Sequence, residues 1–231
     1  MAAAGHTMSA EAAGEPGPAV AGSFLLHFEV PDDFVSLAAE LDEEAAAAEH
    51  AKFVDAVLRP GAPPAVRAQM LAQLAAARIA LIGGGIRYFC MAGGNVDGRQ
   101  VLLMVGIAVT PFPRAEGEEP RGLLARMLRE QYPQDAALVE EFGTEYGPGV
   151  GLRRAETLPF PVPGGQPLQI DTGVAQAIIH FLDAGAAGVV TGYCFSPRDI
   201  DTAAVTVALI ARRMTITRQG HQPRRLATEH G

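Results

Sequence analysis

The chain has 231 residues, of which 48% are hydrophobic and 19% are charged, and its formal net charge is −8. This length fits one domain of ordinary size, and the composition supplies ample material for a buried core. The acidic balance disfavours binding to nucleic acid or to an anionic membrane, because both need clustered cations. No window reaches about 18 uninterrupted apolar residues, so no membrane span is predicted.

The expected compartment is the cytoplasm. The first 22 residues lack the basic start and the apolar stretch of a secretory signal. Cys90 and Cys194 are too few for a disulfide framework and lack a C-x-x-C spacing. Lys52 is the only lysine, and this arginine bias, together with abundant alanine, is typical of a GC-rich bacterial genome.

One domain is predicted over 23–218. Residues 1–22 and 219–231 are poor in large apolar side chains, so both are predicted to be flexible tails. The first strand is predicted over 23–30, where it ends before Pro31. Two alanine-rich helices then follow, from about 38 to 59 and over 65–82, separated by the breaker PGAPP.

The glycine triplet Gly83–Gly85 is predicted to end the second helix. A phosphate-binding loop follows a strand and leads into a helix, whose N-terminal amides then face the anion. Here the order is reversed, because a helix runs into the glycines and a strand, IRYFCM, leaves them. Carbonyl oxygens crowd a helix C-terminus and repel phosphate. The triplet therefore indicates a helix end with Gly83 as the left-handed cap, and the anion loop is the alternative.

The order of the remaining elements predicts an α+β fold. A helix is predicted over 121–131, and a last helix is predicted to begin at the N-cap Ser196, with Pro197 in its first turn. Because hairpins join most of the strands, we expect a mainly antiparallel sheet of about six strands with helices packed on it. The six predicted strands are 23–30, 86–91, 100–109, 150–160, 172–184 and 188–196.

The final third of the chain has a recognisable arrangement of elements. A strand, AQAIIHFLDA, is followed by a tight turn, a strand that ends in aromatic-Ser-Pro (VVTGYCFSP), and a helix that finishes in ARRMTIT. Over 152–218 this arrangement resembles the PsbP/Mog-like α/β/α sandwich superfamily, which includes photosystem extrinsic proteins, Ran-binding transport factors and LpqN-type bacterial lipoproteins. The resemblance implies a sandwich fold and a role in binding other macromolecules. The chain departs from the lipoproteins because it shows no lipid-attachment cysteine near its start.

The most specific candidate site is a set of arginines on the helix predicted over 121–131. Arg121, Arg126 and Arg129 would present convergent donors to an anionic partner or ligand. The alternative is a pocket between sheet and helices. Its polar groups would come from Arg87, His180, Tyr193 and Cys194.

No metal site, cofactor or catalytic group is predicted. His27 and His180 alternate with apolar neighbours in predicted strands, and His50 with Glu49 does not form an H-E-x-x-H pattern. Cys90 and Cys194 are predicted to be small core hydrophobes. No G-x-S-x-G pattern supplies a nucleophilic serine.

Two functions therefore stay open at this point. The first is a cytoplasmic, non-enzymatic module that binds another protein or a second copy of itself through its sheet or helix surface. The second is a small-molecule binder or enzyme with a pocket between the sheet and the helices.

Overall fold

The computed structural model describes residues 6–12, 24–31, 33–38, 42–86, 88–96, 99–112, 119–160, 166, 168–182 and 184–218. Within these ranges it contains ten strands, four α-helices and two short 3-10 helices, Pro133–Leu138 and Pro197–Asp199. The strands are β1 His6–Ala12, β2 Phe24–Val30, β3 Val35–Ala38, β4 Tyr88–Val96, β5 Arg99–Pro111, β6 Glu140–Gly143, β7 Pro148–Phe160, β8 Leu168–Phe181, β9 Ala186–Cys194 and β10 Thr215–Arg218. The helices are α1 Glu43–Val57, α2 Pro64–Gly83, α3 Pro120–Gln131 and α4 Ile200–Arg213.

The predicted α+β fold with an antiparallel sheet is confirmed. A seven-stranded sheet has the order β3-β4-β5-β9-β8-β7-β6, and a three-stranded sheet has the order β1-β2-β10. Every neighbouring pair is antiparallel. The sequence predicted about six strands because β3, β6 and β10 have only four residues each, too few to show a hydrophobic period. The fourth addition, β1, lies within the predicted N-terminal tail.

Helices pack on both faces of the large sheet. On the near face, α1 and α2 share a core with Phe89, Met91 and Met104, and α3 packs there over Val150 and Leu152. On the far face, α4 and the small sheet share a core with the alternate residues of the same strands. Because successive side chains of a strand point to opposite faces, each central strand supplies both cores.

Local capping fixes where the helices begin. α1 begins after Asp42, whose Oδ1 accepts from the Ala45 amide at 2.8 Å, so the residues before it are free to form β3. This cap explains why the helix is shorter than the predicted range of 38–59. Ser196 Oγ accepts from the Arg198 amide at 3.3 Å and starts the turn that leads into α4, as its sequence context predicted.

The prediction that Gly83–Gly85 ends a helix is confirmed, but the left-handed residue is Gly85 rather than Gly83. Gly83 is the last residue of α2, and Gly85 has φ = 79°. The Gly85 amide donates to Ile82 O at 2.9 Å and the Ile86 amide donates to Leu81 O at 3.0 Å. These two bonds are those of a Schellman turn, and they use amides that a phosphate loop would leave for an anion.

The apolar contact that accompanies this turn lies over Gly106 of β5. A Cβ at Gly106 would be 2.7 Å from Ile86 Cγ2 and 2.8 Å from Leu81 Cδ2. Only glycine leaves room for both side chains, so the end of α2 is held against the sheet at this position. The turn and the packing under it therefore specify the same end point for the helix.

Among the described residues, one helix, α2, is long and apolar enough to cross a membrane by length and composition alone, with a mean hydropathy of 1.3. It buries Met70, Leu74 and Leu81 in the core that it shares with β4 and β5. Those contacts make α2 a core helix of this fold.

Two substitutions in the triplet are expected to change stability in opposite directions. Gly85→Ala should lower the free energy of unfolding by about 1 kcal/mol, because alanine disfavours a positive φ. Gly83→Ala should raise it by roughly 0.5 kcal/mol, because Gly83 is helical and a Cβ there meets no atom within 4 Å. Urea unfolding of both variants measures this difference, and equal effects would contradict the turn geometry.

Candidate functional site

A cleft of about 540 Å³ opens on the near face of the large sheet. One wall is the end of α2 with the turn after it, and the other is the end of α3. The floor is formed by β5, β9, β8 and β7. The lining residues are Ala80, Leu81, Gly84, Gly85, Ile86, Ala108, Val109, Thr110, Gln131, Tyr132, Leu152, Arg154, Glu156, Val174, Gln176, Ile178, Val189, Thr191 and Tyr193.

Three adjacent strands bring a group of polar side chains together on the floor. Gln176 of β8 is in register with Thr191 of β9 and with Leu152 of β7. Two residues away, Val174 of β8 is in register with both Arg154 and Tyr193. We call the resulting group the polar floor; it consists of Arg154, Glu156, Gln176, Thr191 and Tyr193.

The opposite face of the same strands has no comparable polar group among its buried residues. There α4 covers alternate positions that are apolar and buried, and these belong to one core cluster. The residues are Ala175, Ala177 and Ile179 of β8 with Val190 and Cys194 of β9. The polar floor is therefore confined to the near face of these strands, where they border the cleft.

An ion pair lies at the β7 side of the floor. Arg154 and Glu156 are two residues apart on β7 and so share a face, and Arg154 Nη2 donates to Glu156 Oε2 at 2.8 Å. Their side chains are 14% and 27% exposed. The guanidinium carbon of Arg154 also lies 4.3 Å from the ring centroid of Tyr132, just beyond the end of α3. These contacts hold Arg154 in one orientation and leave Glu156 the more open of the two.

Tyr193 and Gln176 occupy the middle of the floor. Gln176 Nε2 donates to Thr191 Oγ1 at 3.3 Å. Tyr193 is 8% exposed, and its hydroxyl forms no hydrogen bond with any residue in the described ranges. Burial, and then the nearby Glu156 carboxylate, raise the pKa of the Tyr193 phenol. At neutral pH the hydroxyl is therefore protonated and has both a donor and an acceptor to offer.

The predicted pocket residues do not converge. Of the four, Tyr193 lines the cleft. Cys194 belongs to the far-face core, where its thiol donates to Gly173 O at 3.4 Å and to Ser196 O at 3.2 Å. His180 is buried away from the cleft, with its ring 4.8 Å from that of Phe112. Arg87 lies outside the described residues.

The predicted arginine group on α3 is not gathered into a common site. Arg126 is 4.0 Å from Glu130, and Arg129 is 3.8 Å from Glu141. Arg121 is half-buried, and its Nε has no hydrogen-bond partner among the described atoms. None of the three lines the cleft. Each exposed arginine thus has its own acidic neighbour.

Both cysteines are free and buried, which confirms their prediction as small core residues. Burial raises the pKa of the Cys90 thiol to about 12 and also raises the pKa of Cys194. His50 is also buried, and burial together with the nearby Arg78 lowers its pKa to about 4, so it is neutral at neutral pH. Among the described residues, no three His, Cys, Asp or Glu side chains are grouped as metal ligands would be.

Sequence reasoning missed four of the five residues of the polar floor. A signal was present in three successive predicted strands. Polar residues stand two positions apart in the first strand (Arg154 and Glu156) and in the third (Thr191 and Tyr193), and the strand between them contains Gln176. Each pair or single residue is unremarkable within its own strand. Their convergence depends on the register between the strands, which the sequence does not specify by itself.

Comparisons with known proteins find a fold likeness and no family. No protein-family model matches the chain, and no curated protein matches it. A comparison with solved structures finds the crystal structure of LpqN, involved in cell envelope biogenesis of Mycobacterium tuberculosis, at 13% sequence identity and a TM-score of 0.37, covering 92% of each chain. This is a weak fold-level resemblance, and it assigns no function or functional residue to this chain.

Proposed function

We propose that this protein binds a small organic molecule in the cleft between the sheet and the ends of α2 and α3. The observation that carries the proposal is the polar floor, on which five polar side chains converge on one patch of a sheet face. The volume of about 540 Å³ lies within the range of small-molecule sites. Such sites combine apolar walls with a few convergent polar groups, as this cleft does.

The energetics of the floor favour binding over structural support. A partly buried ion pair often stabilises a fold no more than apolar residues of the same size do. The far face shows that these strands pack well with apolar residues alone. A ligand would give the Tyr193 hydroxyl and Glu156 Oε1 the partners that the described residues do not supply.

The groups in the cleft suit binding better than catalysis. The raised pKa of Tyr193 keeps its hydroxyl protonated near neutral pH, so no phenolate is available to act as a base or a nucleophile. Cys194, the strongest potential nucleophile in β9, lies on the far face. We therefore propose a binding protein in the cytoplasm of a bacterium. The PsbP/Mog-like assignment stays a prediction beside it.

A fragment screen read by methyl NMR tests the proposal. Fragments that bind should shift the resonances of Leu81, Ile86 and Val174, which line the cleft. Ala108→Phe places a ring in the cleft and should lower the affinity of the protein for those fragments at least about tenfold. Ala47→Phe adds the same ring on the exposed side of α1 and should leave these affinities unchanged. Fragments that shift only residues elsewhere, or none that bind at all, would refute the site.

A protein-binding or adaptor role is the second candidate. Its support is a pair of exposed apolar side chains on α4, Val205 at 60% and Leu209 at 47% exposure. They are four residues apart and therefore adjacent on one side of the helix. Such a pair suits contact with another protein or with a second copy of this chain.

Light scattering over a concentration series tests the self-association form of this second candidate. Wild-type protein should increase in mass with concentration, and Leu209→Glu should lower the association constant at least about tenfold, because it places a charge in the contact. Thr202→Glu, also exposed on α4, is the control and should associate as wild type does. A monomer at every concentration would remove this form of the proposal.

A further inference from the structure

The charges around the cleft indicate the chemical class of its ligand, which the volume of the cleft does not. Two helices end at the cleft. Gly84 and Gly85, which follow α2, line one wall, and Gln131, the last residue of α3, lines the other wall together with Tyr132. The C-terminal end of a helix carries the equivalent of about half a negative charge. Both ends therefore add to the negative potential at the cleft, with a smaller contribution from α2 because the Gly85 and Ile86 amides donate to two of its last carbonyls.

The side chains do not cancel this charge. Arg154 and Glu156 are the charged side chains among the lining residues, and their formal charges balance each other. The last turn of α2 has no basic residue, and Arg129 in the last turn of α3 is exposed beside Glu141. The cleft thus has an excess of negative potential within a chain whose net charge is −8.

The open carboxylate oxygen of Glu156 has the same preference, and the Tyr193 hydroxyl can accept a hydrogen bond beside it. Glu156 Oε2 accepts from Arg154, and its other oxygen, Oε1, has no hydrogen-bond partner in the described part of the chain. The Tyr193 hydroxyl offers a lone pair from a ring that is itself nine-tenths buried. Arg154, the group that would attract an anion, is 14% exposed and already contacts Glu156 and the ring of Tyr132.

We infer that the cleft binds an organic monocation, a small molecule with an ammonium or guanidinium group and an apolar body. Its charged group would lie between Glu156 and the Tyr193 hydroxyl, near the ends of the two helices. Its body would contact Leu81, Ile86 and Val174. This inference rests on the proposed function and adds the chemical class of the ligand to it.

Three probes of similar shape and different charge test the inference. Phenethylamine is a cation near neutral pH, phenethyl alcohol is neutral and phenylacetate is an anion. Methyl NMR titration should give an affinity for the amine at least about tenfold higher than for phenylacetate, with the alcohol between them. Raising the ionic strength should lower the affinity for the amine and leave the affinity for the alcohol unchanged.

A variant pair identifies the source of the preference. Glu156→Gln should lower the affinity for the amine at least about fivefold and change that for the alcohol by less than about twofold. Glu49→Gln removes a carboxylate on α1 that does not line the cleft and should have no effect. If Glu156→Gln does not fold, the wild-type protein still tests the inference, through the order of its affinities for the three probes and the salt dependence of its affinity for the amine.

The outcomes separate this inference from the proposed function. If phenylacetate binds in the cleft as tightly as the amine, the inference is wrong while the cleft remains a binding site. An amine preference that survives both added salt and Glu156→Gln would also overturn it. If neither these probes nor the fragments bind in the cleft, the proposed function fails as well.

Discussion

The position at which α2 ends is the constraint on which the site depends. The Schellman turn at Gly85 closes the helix, and the contact of Leu81 and Ile86 over Gly106 holds that end against the sheet. α3 ends on the other side, at Gln131. Between these two ends no helix of the described residues covers the near face of the large sheet. The cleft and its polar floor occupy this gap.

The two faces of β8 and β9 show how the same strands meet two different demands. Where α4 covers the far face, the side chains are apolar, because an unpaired polar group there would cost free energy. Where the near face borders the cleft, the alternate positions are Gln176, Thr191 and Tyr193. A period of two lets each strand pack a core with one face and line the cleft with the other. Natural proteins commonly give up stability at functional sites, which is the role we propose for the cleft.

Local signals predicted the parts of the fold that local chemistry decides. The helix end at Gly83–Gly85, the turn that starts at Ser196 and the antiparallel arrangement of the sheet were all predictable, because each depends on residues close together in the chain. The shift of the left-handed residue to Gly85 was not, because the turn is positioned by the contact with Gly106 of β5. The polar floor was not either, since it needs the register of three strands.

The central claim is that Arg154 and Glu156 serve binding and not folding. The most direct test replaces both with apolar residues of similar size, Arg154→Met together with Glu156→Leu, and measures urea unfolding beside the binding of phenethylamine. We expect the free energy of unfolding to be unchanged or higher by about 1 kcal/mol, with binding weakened at least about tenfold. A variant that loses more than about 2 kcal/mol of stability would show that the ion pair is structural, and would contradict the account.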